Sequence, residues 1–187
     1  QYPQHYYTKP QYNHASGVNK ETPATPPQTV LTDEEELIKI GENATLEFKS
    51  TLRWNLHSKR FDKEVEHSAL KTIVAFMNTE GGTLFIGVRD DGEILGLEID
   101  KFPNDDKLLL HFANLVNDRI GKQHVEQIRG ELKEIGDKKI LRVDCKPSSS
   151  AVFLKATGGE EFYIRNGPSS VQLSTSEVLK YCRKHFR

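Results

Sequence analysis

The sequence predicts an α+β domain in which a mixed or antiparallel β-sheet is packed by helices. Three observations lead to this fold class. Two long segments repeat apolar side chains at helical spacing, and short strand-like runs lie between and after them. Turn residues then join the later strand-like runs into pairs. Because short turns connect antiparallel neighbours, much of the sheet is expected to be antiparallel.

The first elements are a short helix, a strand and a long helix. Thr32 opens a capping box with acidic residues in the following turn, and Gly41 ends the helix. Residues 44–49 alternate apolar and polar side chains, which is typical of a strand. Residues 62–78 carry apolar side chains at helical spacing, and a glycine pair then ends this second helix.

A central strand, a hairpin and another long helix follow. Residues 83–88 form a nearly continuous apolar run, as expected for a buried strand. The turn Asp90-Asp91-Gly92 leads to a partner segment at 93–97. Residues 105–120 repeat apolar residues at helical spacing and predict the second long helix.

The last third of the chain is expected to hold two strand pairs and a closing helix. The pairs are 125–134 with 138–145 and 151–155 with 160–165, each joined by a glycine-containing turn. The helix begins near Thr175 with Ser174 as its cap. Its inward side is predicted to carry Val178, Leu179 and Tyr181.

Composition divides the chain into two parts. Residues 1–31 contain four of the six tyrosines and five of the eight prolines, with no periodic apolar face. Such a segment cannot offset the entropy of ordering, so residues 1–31 are predicted to be a disordered tail or linker. Residues 32–187 form the predicted domain.

Charge and cysteine content restrict the possible functions. The 26 Lys and Arg balance 27 Asp and Glu, which excludes a strongly basic nucleic-acid coat protein. No apolar run approaches membrane-spanning length, and the first residues lack a secretory signal. Two isolated cysteines fit a reducing compartment. We therefore expect a cytoplasmic, nuclear or nucleoid-associated chain that is not secreted. We expect no membrane contact through this segment, and a membrane anchor outside the given range stays an open alternative.

Four sequence blocks carry a family resemblance. Each combines glycines with strand residues, and they occur in the order Gly41-Glu42 to Lys49, Ala75 to Val88, Asp91 to Gly96, and Phe162 to Gly167. With these blocks, the chain resembles the Schlafen AlbA_2 domain family over about residues 37–181. The resemblance implies nucleic-acid binding. The family includes both regulators described as DNA-binding and Schlafens that cleave tRNA and rRNA.

The resemblance also implies a metal site. In the ribonuclease-active members, three carboxylates bind the metal, and their positions match Glu42, Glu47 and Asp90. Carboxylate oxygens suit Mg²⁺ or Mn²⁺, which can activate water for phosphodiester hydrolysis. Lys49 shares a strand face with Glu47 and is expected to assist electrostatically. The implied activity is a divalent-metal-dependent endoribonuclease acting on tRNA-like or structured RNA.

Structural alternatives stay open for each of these residues. Glu42 can be a solvated residue of the helix–strand loop, and Glu47 with Lys49 can be a same-face ion pair on an exposed strand. Asp90 can hold the turn by an Asx-type hydrogen bond, a role for which Asp91 is also suited.

A basic and aromatic stretch follows the first strand. Cations and an aromatic ring close in sequence suit phosphate contacts and base stacking. The predicted nucleic-acid contacts are Lys49, Arg53, Trp54, Lys59, Arg60, Lys71 and Arg165. In the alternative, Trp54 packs on the core, the cations are ordinary surface charges, and Arg165 pairs with an internal carboxylate.

Zinc and nucleotide cofactors are not expected. The glycine pair follows a helix and enters a strand, the reverse of a phosphate-binding loop, and no Gly-Lys-Ser/Thr sequence occurs. Asn78, just before the pair, is predicted to cap the helix or to form buried hydrogen bonds. The two cysteines and scattered histidines also depart from the family's structural zinc site.

Two further functions compete with ribonuclease activity. They are a non-catalytic DNA-binding or transcription-regulator module and a dimerisation scaffold.

A homodimer is a possible partner arrangement. In the animal Schlafens that the chain resembles, two related lobes form a groove for RNA. This chain has one copy of the domain, so a similar groove would require a homodimer.

Overall fold

The computed structural model describes residues 31–186. The predicted tail at 1–31 therefore lies outside the described residues, apart from Leu31. Four α-helices occur in this part of the chain, and their bounds are α1 Asp33–Ile40, α2 Lys63–Met77, α3 Asp105–Arg119 and α4 Thr175–His185. Short 3₁₀ helices cover Glu98–Asp100 and Lys122–Gln127.

Ten strands complete the described fold. They are β1 Leu46–Lys49, β2 Trp54–Asn55, β3 Arg60–Phe61, β4 Gly82–Ile86, β5 Ile128–Ile135, β6 Lys138–Cys145, β7 Leu154–Ala156, β8 Gly159–Glu161, β9 Tyr163–Asn166 and β10 Ser169–Gln172. The main sheet has the order β1-β4-β6-β5, in which β1 and β4 are parallel and the other pairs are antiparallel. The predicted α+β class with a mixed sheet is thus confirmed.

The two faces of the sheet bury different side chains. Phe48, Phe85 and Ile140 pack with α1, whereas Leu84 and Leu141 pack in the larger cluster formed by α2 and α3. This division follows from strand geometry, because successive side chains point to opposite faces. Glu47 is opposite Leu84 in the parallel register, so its side chain lies on the α2 face.

Helix ends agree closely with the sequence signals. Thr32 forms the predicted capping box with Glu35, and Gly41 ends α1. Asn78 caps α2 and also forms buried hydrogen bonds, because its side-chain amide donates to the carbonyl oxygens of Val152 and Tyr163. Both predicted roles of Asn78 are confirmed.

The later hairpins differ from prediction. Residues 160–165 are two strands, since β8 pairs with β7 and β9 pairs with β10. Residues 93–97 form no strand, and only an isolated bridge joins Val88 to Ile94. Leu179 of α4 is 58% exposed, so the prediction that it faces inward is wrong.

None of the helices within residues 31–186 is long and apolar enough to cross a membrane.

Candidate nucleic-acid interface

The carboxyl ends of β1 and β4 lie side by side because these strands are parallel neighbours. After β4, the backbone N–H groups of Gly87 and Val88 both donate to the Lys49 carbonyl oxygen, at 2.8 and 3.2 Å. These bonds fix the segment that carries Asp90 next to the end of β1. Lys49 and Asp90 consequently line the same cleft.

This cleft has a volume of about 510 Å³ and is open to solvent. The β2–β3 hairpin contributes Trp54, Leu56 and His57 to its lining, and the first part of α2 also lines it. Its remaining lining residues are Lys49, Ser50, Thr51, Asn55, Asp62, Glu64, Val65, Ser68 and Asp90. The cleft thus brings Lys49 and Asp90 together with the hairpin, whereas Glu42 and Glu47 are not among its lining residues.

Glu42 is a half-buried carboxyl just before β1. Its Oε1 accepts a hydrogen bond from the backbone N–H of Phe48 at 2.8 Å, which ties the loop to the strand. Burial raises the pKa of the Glu42 carboxyl, and the negative charges of Glu47 and Asp90 raise it further. The Phe48 hydrogen bond and the positive charge of Lys49 oppose this rise in pKa. The negative charges of the other two predicted metal ligands therefore act on the Glu42 carboxyl group.

Glu47 is almost fully buried between two cations. Its Oε1 accepts from Lys49 Nζ at 2.5 Å, and its Oε2 accepts from Arg165 Nη1 at 2.9 Å. Arg165 also donates to the carbonyl oxygens of Asn43 and Ala44. Glu47 and Lys49 therefore form the ion pair of the structural alternative, although on a largely buried rather than an exposed strand, and Arg165 pairs with an internal carboxylate.

Asp90 and Asp91 have different environments in the turn. Asp91 Oδ1 accepts from the Glu93 backbone N–H at 3.0 Å, so Asp91 supplies the Asx-type bond. Asp90 is exposed and lines the cleft. The turn role therefore belongs to Asp91 and leaves the Asp90 carboxylate facing the cleft.

The three carboxylates do not assemble into a metal-binding cluster. Among residues 31–186, no group of three or more His, Cys, Asp or Glu side chains is placed to hold a metal ion. Both oxygens of Glu47 already face cations. Within the described residues, Glu42 and Asp90 form no ion pair. The predicted Mg²⁺ or Mn²⁺ site thus stays a prediction, with Glu42 and Asp90 as its free carboxyl groups.

Some of the nucleic-acid-binding residues predicted in the hairpin region are held by contacts within the protein, and others are exposed. Arg53 donates to the carbonyl oxygens of Asp100 and Lys101, and it packs on aromatic rings. Trp54 is half-buried, with Lys101 Nζ 3.7 Å from its ring centroid. Lys59 and Arg60 are exposed. Only the last two are therefore open cations on the hairpin.

Lys71 is separate from the cleft lining. It is half-buried on α2, three residues after Ser68, which does line the cleft. Arg165 does not share an exposed surface with the hairpin cations, because it is buried and bound to Glu47.

Asp100 and Lys101 contribute to the site although the sequence analysis missed them. The buried carboxylate of Asp100 accepts from the backbone N–H groups of Leu52, Arg53 and Trp54 at 2.8 to 2.9 Å. These partners are 46 to 48 residues away in sequence. No local pattern predicts so distant a contact.

The chain is similar to a known protein family and to solved structures. The sequence model of the family described as Schlafen, AlbA_2 matches residues 42–174. The crystal structure of the DIP2311 protein from Corynebacterium diphtheriae is similar, with 18% identity and a TM-score of 0.53 over 77% of this chain. The chain spans only 28% of that protein. The N-terminal domain of a RecG-related protein from Nitrosomonas europaea has 22% identity and a TM-score of 0.47, over 78% of this chain and 95% of that domain.

Proposed function

The chain belongs to the Schlafen AlbA_2 family, and from this premise we propose that it binds nucleic acid, either RNA or DNA, along the β2–β3 hairpin and the cleft beside it. The observation that carries the proposal is the pair of exposed cations, Lys59 and Arg60, on a hairpin that also presents aromatic side chains. Exposed cations contact phosphates, and neighbouring rings contact bases.

The charge distribution supports contact along the hairpin rather than deep in the cleft. Asp62, Glu64 and Asp90 all line the cleft and repel phosphate oxygens. Lys59 and Arg60 form no ion pair with another described residue, so their charges are available to a ligand. We therefore place the phosphate backbone on the hairpin side.

Fluorescence anisotropy with labelled oligonucleotides tests this function. Single-stranded and double-stranded RNA and DNA are titrated at several salt concentrations, because phosphate contacts weaken as salt rises. We expect binding at low salt that the Lys59→Ala/Arg60→Ala variant reduces. Absence of binding to all four ligands at low salt would contradict the proposal, and a stable dimer in light scattering would then favour the scaffold alternative.

Divalent-metal-dependent RNA cleavage is a second candidate function. It is supported by two carboxyl groups that form no ion pair within the described residues, Glu42 and Asp90, and by the negative charge of Asp90, which raises the pKa of Glu42. Mg²⁺ in proteins commonly binds one or two carboxylates together with substrate phosphates, and Glu42 with Asp90 can supply such a pair. A bound cation would activate water and stabilise the leaving oxygen. Lys49 would reach substrate only after leaving Glu47.

Cleavage assays distinguish this function from binding alone. The chain is incubated with tRNA in Mn²⁺ or Mg²⁺ and in chelator, and Glu42→Gln/Asp90→Asn is compared with Asp91→Asn. Asp91→Asn is the matched control because asparagine retains the oxygen that accepts from Glu93. Equal cutting by all variants would contradict the metal-site assignment. Binding without turnover would support the DNA-binding or regulatory alternative.

A further inference from the structure

The β2–β3 hairpin exposes a large aromatic ring. Phe61 is 55% exposed and Leu56, near the hairpin turn, is 41% exposed. Each strand of the hairpin has only two residues, and Phe61 is directly opposite Trp54. Both side chains therefore lie outside the core and are accessible to a ligand.

The two aromatic rings of the hairpin are not equivalent. The edge of one meets the face of the other, with centroids 5.3 Å apart and an interplanar angle of 80°. Trp54 also carries the Lys101 ammonium group 3.7 Å from its ring centroid. The Arg53 guanidinium lies 4.3 Å from the Phe61 centroid. Since Trp54 is half-buried and Phe61 is 55% exposed, Phe61 is the more accessible of the two rings.

Hydrogen bonds fix the position of the hairpin and the shape of its turn. Three backbone N–H groups of the incoming segment donate to the buried Asp100 carboxylate. Asn55 closes the turn, because its Oδ1 accepts from the N–H groups of His57 and Ser58 while its Nδ2 donates to Asp62. A ring on such a fixed support loses little conformational freedom when a ligand stacks on it.

We propose that this hairpin selects single-stranded nucleic acid by stacking an unpaired base on Phe61, while Lys59 and Arg60 contact the adjacent phosphates. The inference rests on the proposed nucleic-acid binding and names the form of nucleic acid recognised. Bases within a duplex are already stacked on their neighbours and are closed to the ring. An unpaired base has a free face, and aromatic side chains bind it with little sequence preference.

Substitutions at Phe61 test the stacking contact. Anisotropy titrations compare a single-stranded oligonucleotide with a duplex of the same sequence for the original chain and for Phe61→Ala, Phe61→Leu and Phe61→Tyr. We expect Phe61→Ala and Phe61→Leu to weaken single-strand binding by about 5-fold to about 100-fold, with little change for the duplex. Phe61→Tyr retains a ring and is expected to bind normally.

Leu179→Ala is the matched control, because Leu179 is also a largely exposed apolar side chain but lies on α4. A 2-aminopurine base in the single strand gives a second measurement, since stacking quenches its fluorescence. Phe61→Leu should lose that quenching even if the hairpin stays folded.

Three outcomes would overturn the inference. Unchanged single-strand binding by Phe61→Leu would exclude stacking while leaving the proposed function intact. Equal losses for single strand and duplex would also overturn it, because the residue would then act on the hairpin as a whole. If the original chain binds neither ligand at low salt, both the inference and the proposed function fail.

Discussion

Glu47 of β1 and Arg165 of β9 form a buried ion pair, with Oε2 and Nη1 2.9 Å apart and side chains 11% and 3% exposed. The pair joins the main sheet to the β9–β10 hairpin across 118 residues of sequence. Arg165 also lies over the Phe76 ring of α2, with its guanidinium carbon 4.8 Å from the ring centroid. Strand, hairpin and helix therefore meet at one guanidinium group.

Arg165→Ala should destabilise the fold by up to about 3 to 5 kcal/mol, because the buried Glu47 carboxylate then keeps only Lys49 as a charged partner and the carbonyl oxygens of Asn43 and Ala44 lose their donor. Urea denaturation followed by circular dichroism measures the free energy of unfolding. Arg183→Ala on the exposed face of α4 is the control, with an expected change within about 0.5 kcal/mol. The Glu47→Leu/Arg165→Leu variant should lose less than Arg165→Ala, since the buried carboxylate is removed together with Arg165, and the partly exposed Lys49 ammonium group keeps its bond to the Phe48 carbonyl oxygen. A loss no larger than that of Arg183→Ala would contradict this account.

Asp100→Ala should also be strongly destabilising. The substitution removes the acceptor of three backbone N–H groups, and each buried, unsatisfied donor costs about 1 to 3 kcal/mol. We expect a total loss of about 3 kcal/mol or more, together with altered fluorescence of Trp54, which is the single tryptophan of the chain. Asp106→Ala, at an exposed position of α3, is the control. Native fluorescence and an unchanged urea midpoint for Asp100→Ala would refute the assigned role.

Gly82 is required where α2 turns into β4. A Cβ atom at this position would lie 2.6 Å from the Phe76 ring and 2.7 Å from the Thr45 carbonyl oxygen. Gly82→Ala should therefore lower stability by about 1 to 3 kcal/mol through overpacking. Gly158→Ala is the matched control, because nothing lies within 4 Å of its added Cβ. Thermal unfolding of both variants measures the difference, and equal melting temperatures would show that the close approach is unimportant.

Local signals explain how much of the fold could be predicted. The caps of α1 and α2, the central strand β4 and the long β5–β6 hairpin follow from side-chain spacing and turn residues that are close in sequence. The β9–β10 hairpin was missed because its strands are short and partly exposed, so their apolar pattern is weak. Leu179 was misplaced because helical spacing alone does not show which face meets the core.

Prediction of the candidate site depended more than prediction of the fold on contacts between residues that are far apart in sequence. Side-by-side strand ends explain why Lys49 and Asp90 could be predicted to share a location. The neutralisation of Glu47 by Arg165 and the support of the hairpin by Asp100 join residues far apart in the chain. Such pairs depend on tertiary packing, so the sequence left the role of Arg165 open and gave no sign of Asp100.

Glu42 should make stability depend on pH in a defined direction. Its pKa is raised in the folded state above the ordinary value of 4.5, so the native state binds its proton more tightly than the unfolded chain. The stabilisation is fully present below pH 4.5 and is lost as pH rises through the higher folded pKa. Glu42→Gln keeps an oxygen acceptor for Phe48 and stays neutral, so it should be more stable than the original chain near pH 7.

Melting temperatures of both proteins between about pH 4 and pH 8, in chelator, measure this effect, because other titrating groups cancel in the difference. The two curves should converge toward low pH. A constant difference across the whole range, or greater stability of the original chain near neutrality, would contradict the raised pKa.

The hairpin cations should set the salt dependence of nucleic-acid binding. A single strand releases about 0.7 counterions for each phosphate neutralised, so Lys59→Ala/Arg60→Ala should reduce the slope of log affinity against log salt by about 1.4. Lys122→Ala/Lys146→Ala removes the same charge from exposed positions outside the hairpin and is the control. If both double variants reduce the slope equally, binding depends on total charge and not on the hairpin. A loss confined to Lys59→Ala/Arg60→Ala, together with the Phe61 titrations, would show that phosphate and base contacts occur on one small element.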